Sequence, residues 1–193
     1  MIKIIIAIVL IIILYSFVKS IKNDVKYVKS DIDNVEYLVL DMINSQEAAN
    51  MLARIKKNIF KMVHNLDKNK DNKYKEFKKY IKQLSKRIKN VKINEGSTDG
   101  RYTSYSVNKG EQLVFCLRSK NNKINLHDMN LMMYVVLHEM AHIACPEYGH
   151  TDLFKKIFAF FTNVAINIGK YKRINFGMNP SEYCGLTITS SIV

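Results

Sequence analysis

Three residues in the second half of the chain have the types and the spacing that metal-assisted hydrolysis requires. His138 and His142 are four residues apart in the segment HEMAH, so on a helix both imidazoles project from one face and can bind the same Zn²⁺ ion. Glu139 lies off that face but near the metal, where its carboxylate can take a proton from a zinc-bound water. The pattern predicts His138 and His142 as zinc ligands and Glu139 as general base and acid in peptide-bond hydrolysis. The alternative is a helix with two structural histidines.

A hydrolytic zinc site also needs a third protein ligand and an open fourth position. Three candidates follow the motif, namely Cys145, Glu147 and His150. Gly149 permits a turn that returns His150 to the metal, and a neutral imidazole suits zinc, so the sequence favours His150. Glu147 in the same turn is the rival, whereas Cys145 is expected to pack against the core. Tyr183 in the C-terminal tail is a candidate hydrogen-bond donor to an oxyanion, but most tyrosines only pack, and no role is assigned to it.

Helices are predicted on both sides of the turn that carries these candidates. Residues 129–144 are apolar, contain no Pro or Gly and end before Pro146, which predicts a largely buried helix that carries the motif. His127 lies about three helical turns before the motif and is not expected to bind the metal. Thr151 is expected to cap a second helix, which Gly169 closes and whose apolar face supports the ligand turn.

Further upstream, the spacing of apolar residues predicts two amphipathic helices and then a strand hairpin. The first helix begins near Ser45, and the polar residues 68–72 separate it from the second. Strand-like segments at 102–107 and 111–118 flank a turn at 108–110. The helix residues expected to face inward are Ala48, Leu52, Ile55, Ile59, Met62, Leu66, Tyr74, Phe77, Ile81, Leu84, Ile88 and Val91.

The N-terminus is strongly apolar. Residues 4–18 read IIIAIVLIIILYSFV, near the lower end of the length that spans a bilayer. No small-x-small cleavage site follows, which favours an uncleaved transmembrane anchor at residues 1–20 over a cleaved signal peptide. Four lysines within residues 19–29 then place the rest of the chain in the cytosol, as the catalytic part of a single-pass membrane protein. Residues 21–44 have the apolar spacing of a helical stalk or linker, although residues 37–40 equally suit a strand.

The positive charge of the chain is concentrated in one region. The sequence has 30 Lys and Arg residues against 17 Asp and Glu residues, a formal net charge of +13. Residues 54–92 alone hold 15 of the basic residues and three of the acidic ones. Such a region can bind nucleic acid, anionic lipid or an acidic partner, or it can form only a solvated helix face.

The cysteines bear on the redox compartment. Cys116, Cys145 and Cys184 are an odd number and include no close CxxC pair. This pattern does not indicate a disulfide framework, so reduced and buried thiols are expected and a reducing compartment is favoured.

Several of these segments together resemble a known group of enzymes. The stretches VNKGEQLVFCLR, HEMAH and GHTDLF are similar to segments of the WLM and SprT-like zinc metallopeptidases. The wider pattern, with the N-terminal anchor and parts of the tail, resembles metallopeptidase-like proteins of large DNA viruses. The resemblance implies a zincin-like domain over residues 45–193, with His138, His142 and His150 as zinc ligands and Glu139 as acid and base. Seven residues separate the last two histidines, where WLM sequences usually have five.

The expected fold class is α+β, with an N-terminal transmembrane helix followed by a compact zincin-like domain. That domain would contain the two amphipathic helices, a small sheet or hairpin, the HExxH helix and a supporting C-terminal helix. The leading functional hypothesis is a membrane-anchored, zinc-dependent endopeptidase that acts on a protein or peptide. One alternative is a non-enzymatic membrane protein with a structural zinc and a lipid- or nucleic-acid-binding surface at residues 54–92. The other is a protease acting on DNA-bound proteins, which the resemblance implies by analogy alone.

Overall fold

Helices and short strands combine in a mixed α+β fold. The structure is a computed structural model that describes residue 11 and residues 25–96, 103–122 and 124–193. The elements in these ranges are β1 (Val25–Lys29), β2 (Glu36–Leu40), α1 (Ser45–Asn69), α2 (Lys78–Ile88), β3 (Lys92–Glu95), β4 (Ser104–Val107), β5 (Gln112–Phe115), α3 (Met129–Ala144), α4 (Asp152–Asn167), β6 (Ser181–Tyr183) and β7 (Leu186–Ile188). A turn of 3₁₀ helix, Lys75–Phe77, leads into α2.

The strands of the described residues form three small sheets. The largest has the order β3-β5-β4, in which β3 runs parallel and β4 antiparallel to the central β5. The predicted hairpin is confirmed as β4 and β5, with Ser104 opposite Phe115. Strand β3 was not predicted, because its last two residues begin a polar, Gly-containing stretch whose composition indicates a loop.

Helices α1 and α2 confirm the prediction of two amphipathic helices. Their apolar stripes face the interior, and Leu52, Ile59 and Leu84 have no exposed surface. Helix α3 is buried on nearly every side because its sequence is apolar on nearly every side. It packs against α1, α2, α4 and β4, so the motif that it carries is held in a close-packed interior.

The helical interpretation of residues 21–44 was wrong where the structure describes this stretch. Residues 25–40 instead form the antiparallel hairpin β1–β2, and Tyr37 and Val39 of β2 are buried in the core. Asn34 in the connecting turn has a φ of 58°, which a right-handed helix excludes. The valines and the tyrosine favour a strand over a helix. The alternative prediction of a strand at residues 37–40 is confirmed, because these residues lie in β2.

The predicted transmembrane helix and the single-pass membrane location are corrected. Among the helices of the described residues, none combines the length and the apolar composition that crossing a bilayer demands. Helix α1 has 25 residues but carries charged residues along one side. The apolar helix α3 has 16 residues, short of the roughly 20 that a bilayer needs. The anchor predicted at residues 1–20 lies outside the described residues apart from residue 11.

Two of the three cysteines form a disulfide, contrary to the prediction of reduced thiols. Cys116, directly after β5, is bonded to Cys184 in the tail across a sequence separation of 68. The pairing has no local sequence signature, because only the folded chain brings the tail beside the central strand. Cys145 is free and buried, which confirms its predicted place in the core. The expectation of a reducing compartment rested on free thiols and loses its basis.

A buried ion pair connects the three-stranded sheet to the β1–β2 hairpin and to the start of α1. Arg118 Nε donates to Glu95 Oε1 at 2.6 Å, and both side chains are fully buried. The second oxygen of Glu95 accepts the backbone N–H of Leu40 at 2.8 Å, and Arg118 also donates to Asn44 at the start of α1. Separating the two partners would leave a buried charge uncompensated, which is strongly unfavourable. These contacts therefore fix the positions of β2, β3 and α1 relative to Arg118.

Candidate metal centre

Three histidine side chains converge beside the C-terminal half of α3. The Nε2 atoms of His138, His142 and His150 form a triangle with every side 3.1 Å long. Within the described residues, these three make up the group of His, Cys and acidic side chains that could hold one ion. His138 and His142 lie one turn apart on α3, and His150 comes from the segment between α3 and α4. The structure brings all three predicted ligands together, while their role as ligands stays a prediction.

The spacing and chemistry of this triangle fit zinc. Zinc binds imidazole nitrogen at 2.0–2.1 Å, so two nitrogens of a tetrahedral site are about 3.3–3.4 Å apart, close to the 3.1 Å found here. A neutral imidazole has one donor nitrogen, so hydrogen bonds among the three rings cannot satisfy every nitrogen. A single cation placed among the three Nε2 atoms would contact all three rings. Imidazole ligands favour zinc and other transition metals over calcium or magnesium, which prefer oxygen.

Burial keeps two of the histidines neutral. The pKa of His138 is lowered to about 3, mainly by loss of solvent and to a smaller extent by the neighbouring His142 and His150. Loss of solvent also lowers the pKa of His142 to about 4, with contributions from His150 and Lys109. At neutral pH both imidazoles therefore have an unprotonated nitrogen, which is the state that binds a metal.

Glu139 lies beside the triangle in a desolvated position. Its exposed fraction is 5%, and it lines the same cavity as the three histidines. Burial raises the pKa of Glu139 to about 7, and a metal cation nearby would oppose this shift by favouring the carboxylate. A carboxyl group placed this way can both accept and return a proton near neutral pH.

His150 reaches the triangle through a short irregular segment. Helix α3 ends before Cys145, as predicted, and Gly149 has a φ of 78°. This left-handed conformation favours glycine, so the predicted turn is confirmed. Glu147 is exposed and Cys145 is buried, and in the described part of the chain neither joins the histidine group.

Helix α4 supports the three histidines from one side. Thr151 caps it, since its Oγ1 accepts the N–H of Phe154 at 3.3 Å. The Phe154 ring stacks on His142 with centroids 4.2 Å apart. The same ring lies 5.0 Å from the His138 ring and 4.9 Å from the His150 ring. One aromatic side chain thus contacts all three histidines, which confirms the predicted supporting role of this helix.

The triangle and Glu139 open onto a cavity of about 510 Å³, a size that is usual for ligand sites. Its walls come from β4, from α3 and from the tail. The tail contributes Tyr183, whose hydroxyl lies 2.5 Å from Ser104 Oγ of β4, together with Leu186 and Ile188. No spacing pattern predicts this wall, because the tail is remote from the motif in sequence and the disulfide holds it beside β5.

His127 is confirmed to lie apart from the histidine group. Its Nε2 accepts the backbone N–H of Cys184 at 3.3 Å, and its ring lies 5.1 Å from the ring of Tyr183. The residue therefore packs the tail against the domain.

The fold and the site together define an α+β protein with a metal-binding geometry of three histidines on a cavity. Comparison with known proteins adds a family. Over 175 residues the chain is 46% identical to the uncharacterized protein R325 of Acanthamoeba polyphaga mimivirus. The aligned residues are 91% of this chain and 88% of that protein. The chain belongs to the family of this viral protein.

Two shorter matches are also to viral proteins. The uncharacterized protein 136R of Invertebrate iridescent virus 6 is 35% identical over 82 residues, which are 42% of this chain and 43% of that protein. The uncharacterized protein 042R of Invertebrate iridescent virus 3 is 40% identical over 84 residues, or 43% of this chain and 50% of that protein. The predicted relationship to viral proteins is confirmed. The names of these relatives state no activity.

Two further comparisons leave the enzyme family open. No model of a known protein family matches the chain. Among solved structures, the crystal structure of Wss1 from Saccharomyces cerevisiae matches with a TM-score of 0.43 and 20% identity, covering 68% of this chain and 89% of that chain. A TM-score at this level does not establish a shared fold.

Proposed function

We propose that this protein is a zinc-dependent endopeptidase. The observation that supports the proposal is the triangle of Nε2 atoms, 3.1 Å on each side, beside a buried carboxylate on an accessible cavity. Structural zinc sites are closed by four protein ligands, whereas catalytic sites have three and leave one position for water or substrate. Three histidines that all line a cavity fit the catalytic arrangement.

Glu139 has the central chemical role in this proposal. Zinc held by the three histidines would supply a Lewis acid that activates water and polarises a peptide carbonyl. The Glu139 carboxylate accepts a proton from the water as the oxygen of the water bonds to the carbonyl carbon. It then delivers this proton to the amine nitrogen as the C–N bond breaks. Because Glu139 is almost completely buried, bulk water has little access to the proton during the transfer.

The cavity wall suits an extended peptide substrate. Strand β4 is at the edge of its sheet, because the strand order is β3-β5-β4, and residues 103–106 line the cavity. An edge strand can pair with an extended chain through its backbone, while neighbouring pockets select side chains. A protein or peptide lying along β4 would present its backbone carbonyls toward the histidines and Glu139.

Two hydroxyl groups on the wall facing the motif suit the stabilisation of negative charge. Tyr183 and Ser104 are hydrogen-bonded to each other at 2.5 Å, and both line the cavity. Burial raises the pKa of Tyr183, so its phenol keeps its proton and stays a donor at neutral pH. In the proposed reaction, Tyr183 donates to the carbonyl oxygen as charge develops on it.

The other hypotheses have less support. A structural zinc site would need a fourth protein ligand, and the described side chains of Cys145 and Glu147 lie outside the histidine group. The lysines of residues 54–92 lie on α1, on α2, in the adjoining turns and, for Lys92, at the start of β3. Binding of nucleic acid or anionic lipid to this region, and with it a preference for DNA-bound substrates, stays a prediction.

Removal of the metal should abolish proteolysis by the full-length protein. Casein, an unstructured protein, should be cleaved into fragments that mass spectrometry detects. The chelator 1,10-phenanthroline should stop the cleavage, and added Zn²⁺ should restore it, because the three histidines provide a site that refills. A His138→Ala, His142→Ala double variant serves as control and should stay inactive in added zinc. Cleavage that continues undiminished in metal-free protein would contradict the proposal.

A further inference from the structure

Lys109, in the turn between β4 and β5, contacts the segment that leads to His150. Its Nζ donates to the carbonyl oxygens of Cys145 at 2.9 Å, Pro146 at 3.1 Å and Glu147 at 3.1 Å. A lysine ammonium has three N–H donors, so these three carbonyls can use all of them. Hydrogen bonds from a charged donor are stronger than neutral ones, and the three together hold three successive peptide units.

The same ammonium also contacts the next residue of the segment. Nζ lies 4.2 Å from the centroid of the Tyr148 ring, a distance at which a cation is attracted to the face of an aromatic ring. Lys109 therefore contacts four consecutive residues, 145–148. Gly149, at a φ of 78°, then turns the chain to His150. Every residue between the end of α3 and that glycine is thus in contact with Lys109.

The backbone of the β4–β5 turn is shaped to bring Lys109 to this position. Asn108 and Lys109 have φ values of 47° and 51°, a left-handed conformation that residues other than glycine rarely adopt. A Cβ atom on Gly110 would lie 3.1 Å from Ile143 Cγ2 and 3.3 Å from Arg87 Cβ. Glycine at this position therefore lets the turn approach the C-terminal end of α3 closely.

A ligand eight positions beyond the helical pair needs such an anchor. His138 and His142 are fixed by the buried helix α3, whereas His150 is exposed and lies on an irregular segment. Segments without regular structure open locally more easily than packed helices. If residues 145–148 moved freely, His150 would leave the triangle for much of the time, and the metal would be held by two ligands.

We propose that Lys109 is a positioning residue that fixes the segment 145–148 and thereby sets the affinity of the three histidines for zinc. The inference rests on the proposed zinc site and adds a residue outside the motif on which that site depends. In this proposal Lys109 acts through the position of His150, and it is not among the residues that line the cavity of the histidines and Glu139.

The test is the zinc affinity of the full-length Lys109→Met variant, measured by competition with a chromophoric chelator. Methionine keeps a similar length but removes all three donors and the charge. We expect the dissociation constant for zinc to rise by roughly 10- to 100-fold, the usual effect of losing a group that orients a metal ligand. The matched control is Lys78→Met on α2, where the lysine forms an exposed pair with Asp71 at 2.6 Å and where zinc affinity should not change.

Thermal unfolding of the metal-free proteins separates positioning from a general loss of stability. A weaker zinc affinity in Lys109→Met, with metal-free unfolding close to that of Lys78→Met, supports the proposal, and an unchanged affinity overturns it. If Lys109→Met does not fold, Lys109→Arg replaces it, because a planar guanidinium cannot reach three diverging carbonyls in the same way. Wild-type affinity in that variant would also overturn the proposal. Absence of zinc binding in the wild type would instead refute the proposed function.

Discussion

A Glu139→Gln variant should bind zinc as tightly as the wild type but cleave peptides more slowly by roughly 10²–10⁴-fold, the usual contribution of a general acid–base group. Glutamine has nearly the same shape as glutamate, but its neutral amide does not accept a proton from water near neutral pH. Glu139 lies outside the histidine triangle, so the substitution should leave the ligands in place. The measurements are kcat/KM on a fluorogenic peptide and metal content by mass spectrometry.

The matched control for this variant is Glu147→Gln. Glu147 is an exposed glutamate in the segment before His150, and its backbone carbonyl, rather than its carboxylate, accepts the hydrogen bond from Lys109. Its substitution should leave both metal content and cleavage rate close to those of the wild type. A Glu139→Gln variant that keeps a rate within a few-fold of the wild type would refute the assigned role of Glu139.

The second large effect is expected for His150→Ala, which should lose most of its affinity for zinc. Removal of one of three protein ligands should weaken binding by more than the roughly 10- to 100-fold that follows the loss of a supporting group. The two remaining histidines on α3 are held by the helix, so residual weak binding is expected. Competition with a chelator measures the affinity, and peptide cleavage at saturating zinc measures the remaining activity.

Variants of the two rival ligands decide the identity of the third ligand. Glu147→Ala and Cys145→Ser should bind zinc as the wild type does, because the structure places neither side chain with the histidines. Loss of zinc in Glu147→Ala, together with retention in His150→Ala, would reverse the assignment. That result would also remove the basis for a role of Lys109 in holding His150.

The helix that carries the HEMAH motif and its neighbouring helices were predictable because their signals are local. A segment without Pro or Gly, apolar on every side and stopped by Pro146, specifies a buried helix from its sequence alone. The stripe from Ala48 to Leu66 likewise specifies which face of α1 is buried, and its members have no exposed surface. The spacing of His138 and His142 then fixes their relation, because both lie on one rigid element.

The wrong predictions concern short segments whose residue pattern fits both a helix or loop and a strand. Valines spaced by three and four residues before α1 fit a helical seam, yet β-branched residues beside a turn with Asn34 at a φ of 58° fold as a hairpin. Strand β3 has four residues, too few for a periodic signal beside a loop. Such segments take their structure from the pairing partners that the whole fold supplies.

The parts of the site that the sequence did not predict depend on contacts between segments that are distant in sequence. Lys109 and Cys145 are separated by 36 positions, and Ser104 and Tyr183 by 79. The Cys116–Cys184 bond spans 68 positions. None of these pairs has a spacing rule, since each is produced by the packing of β4, β5, α3 and the tail around one cavity. The motif therefore indicated the two histidines on the helix, but not the residues that contact the segment before His150 or form the opposite wall of the cavity.

Anomalous X-ray diffraction at the zinc absorption edge, from crystals of the full-length protein purified without added metal, tests the central claim most directly. The expected result is one strong peak within about 2.0–2.1 Å of the Nε2 atoms of His138, His142 and His150, with its fourth position directed into the cavity. A peak closed by a fourth protein ligand would contradict the catalytic assignment. The absence of a peak in crystals soaked with Zn²⁺ would contradict the zinc site itself.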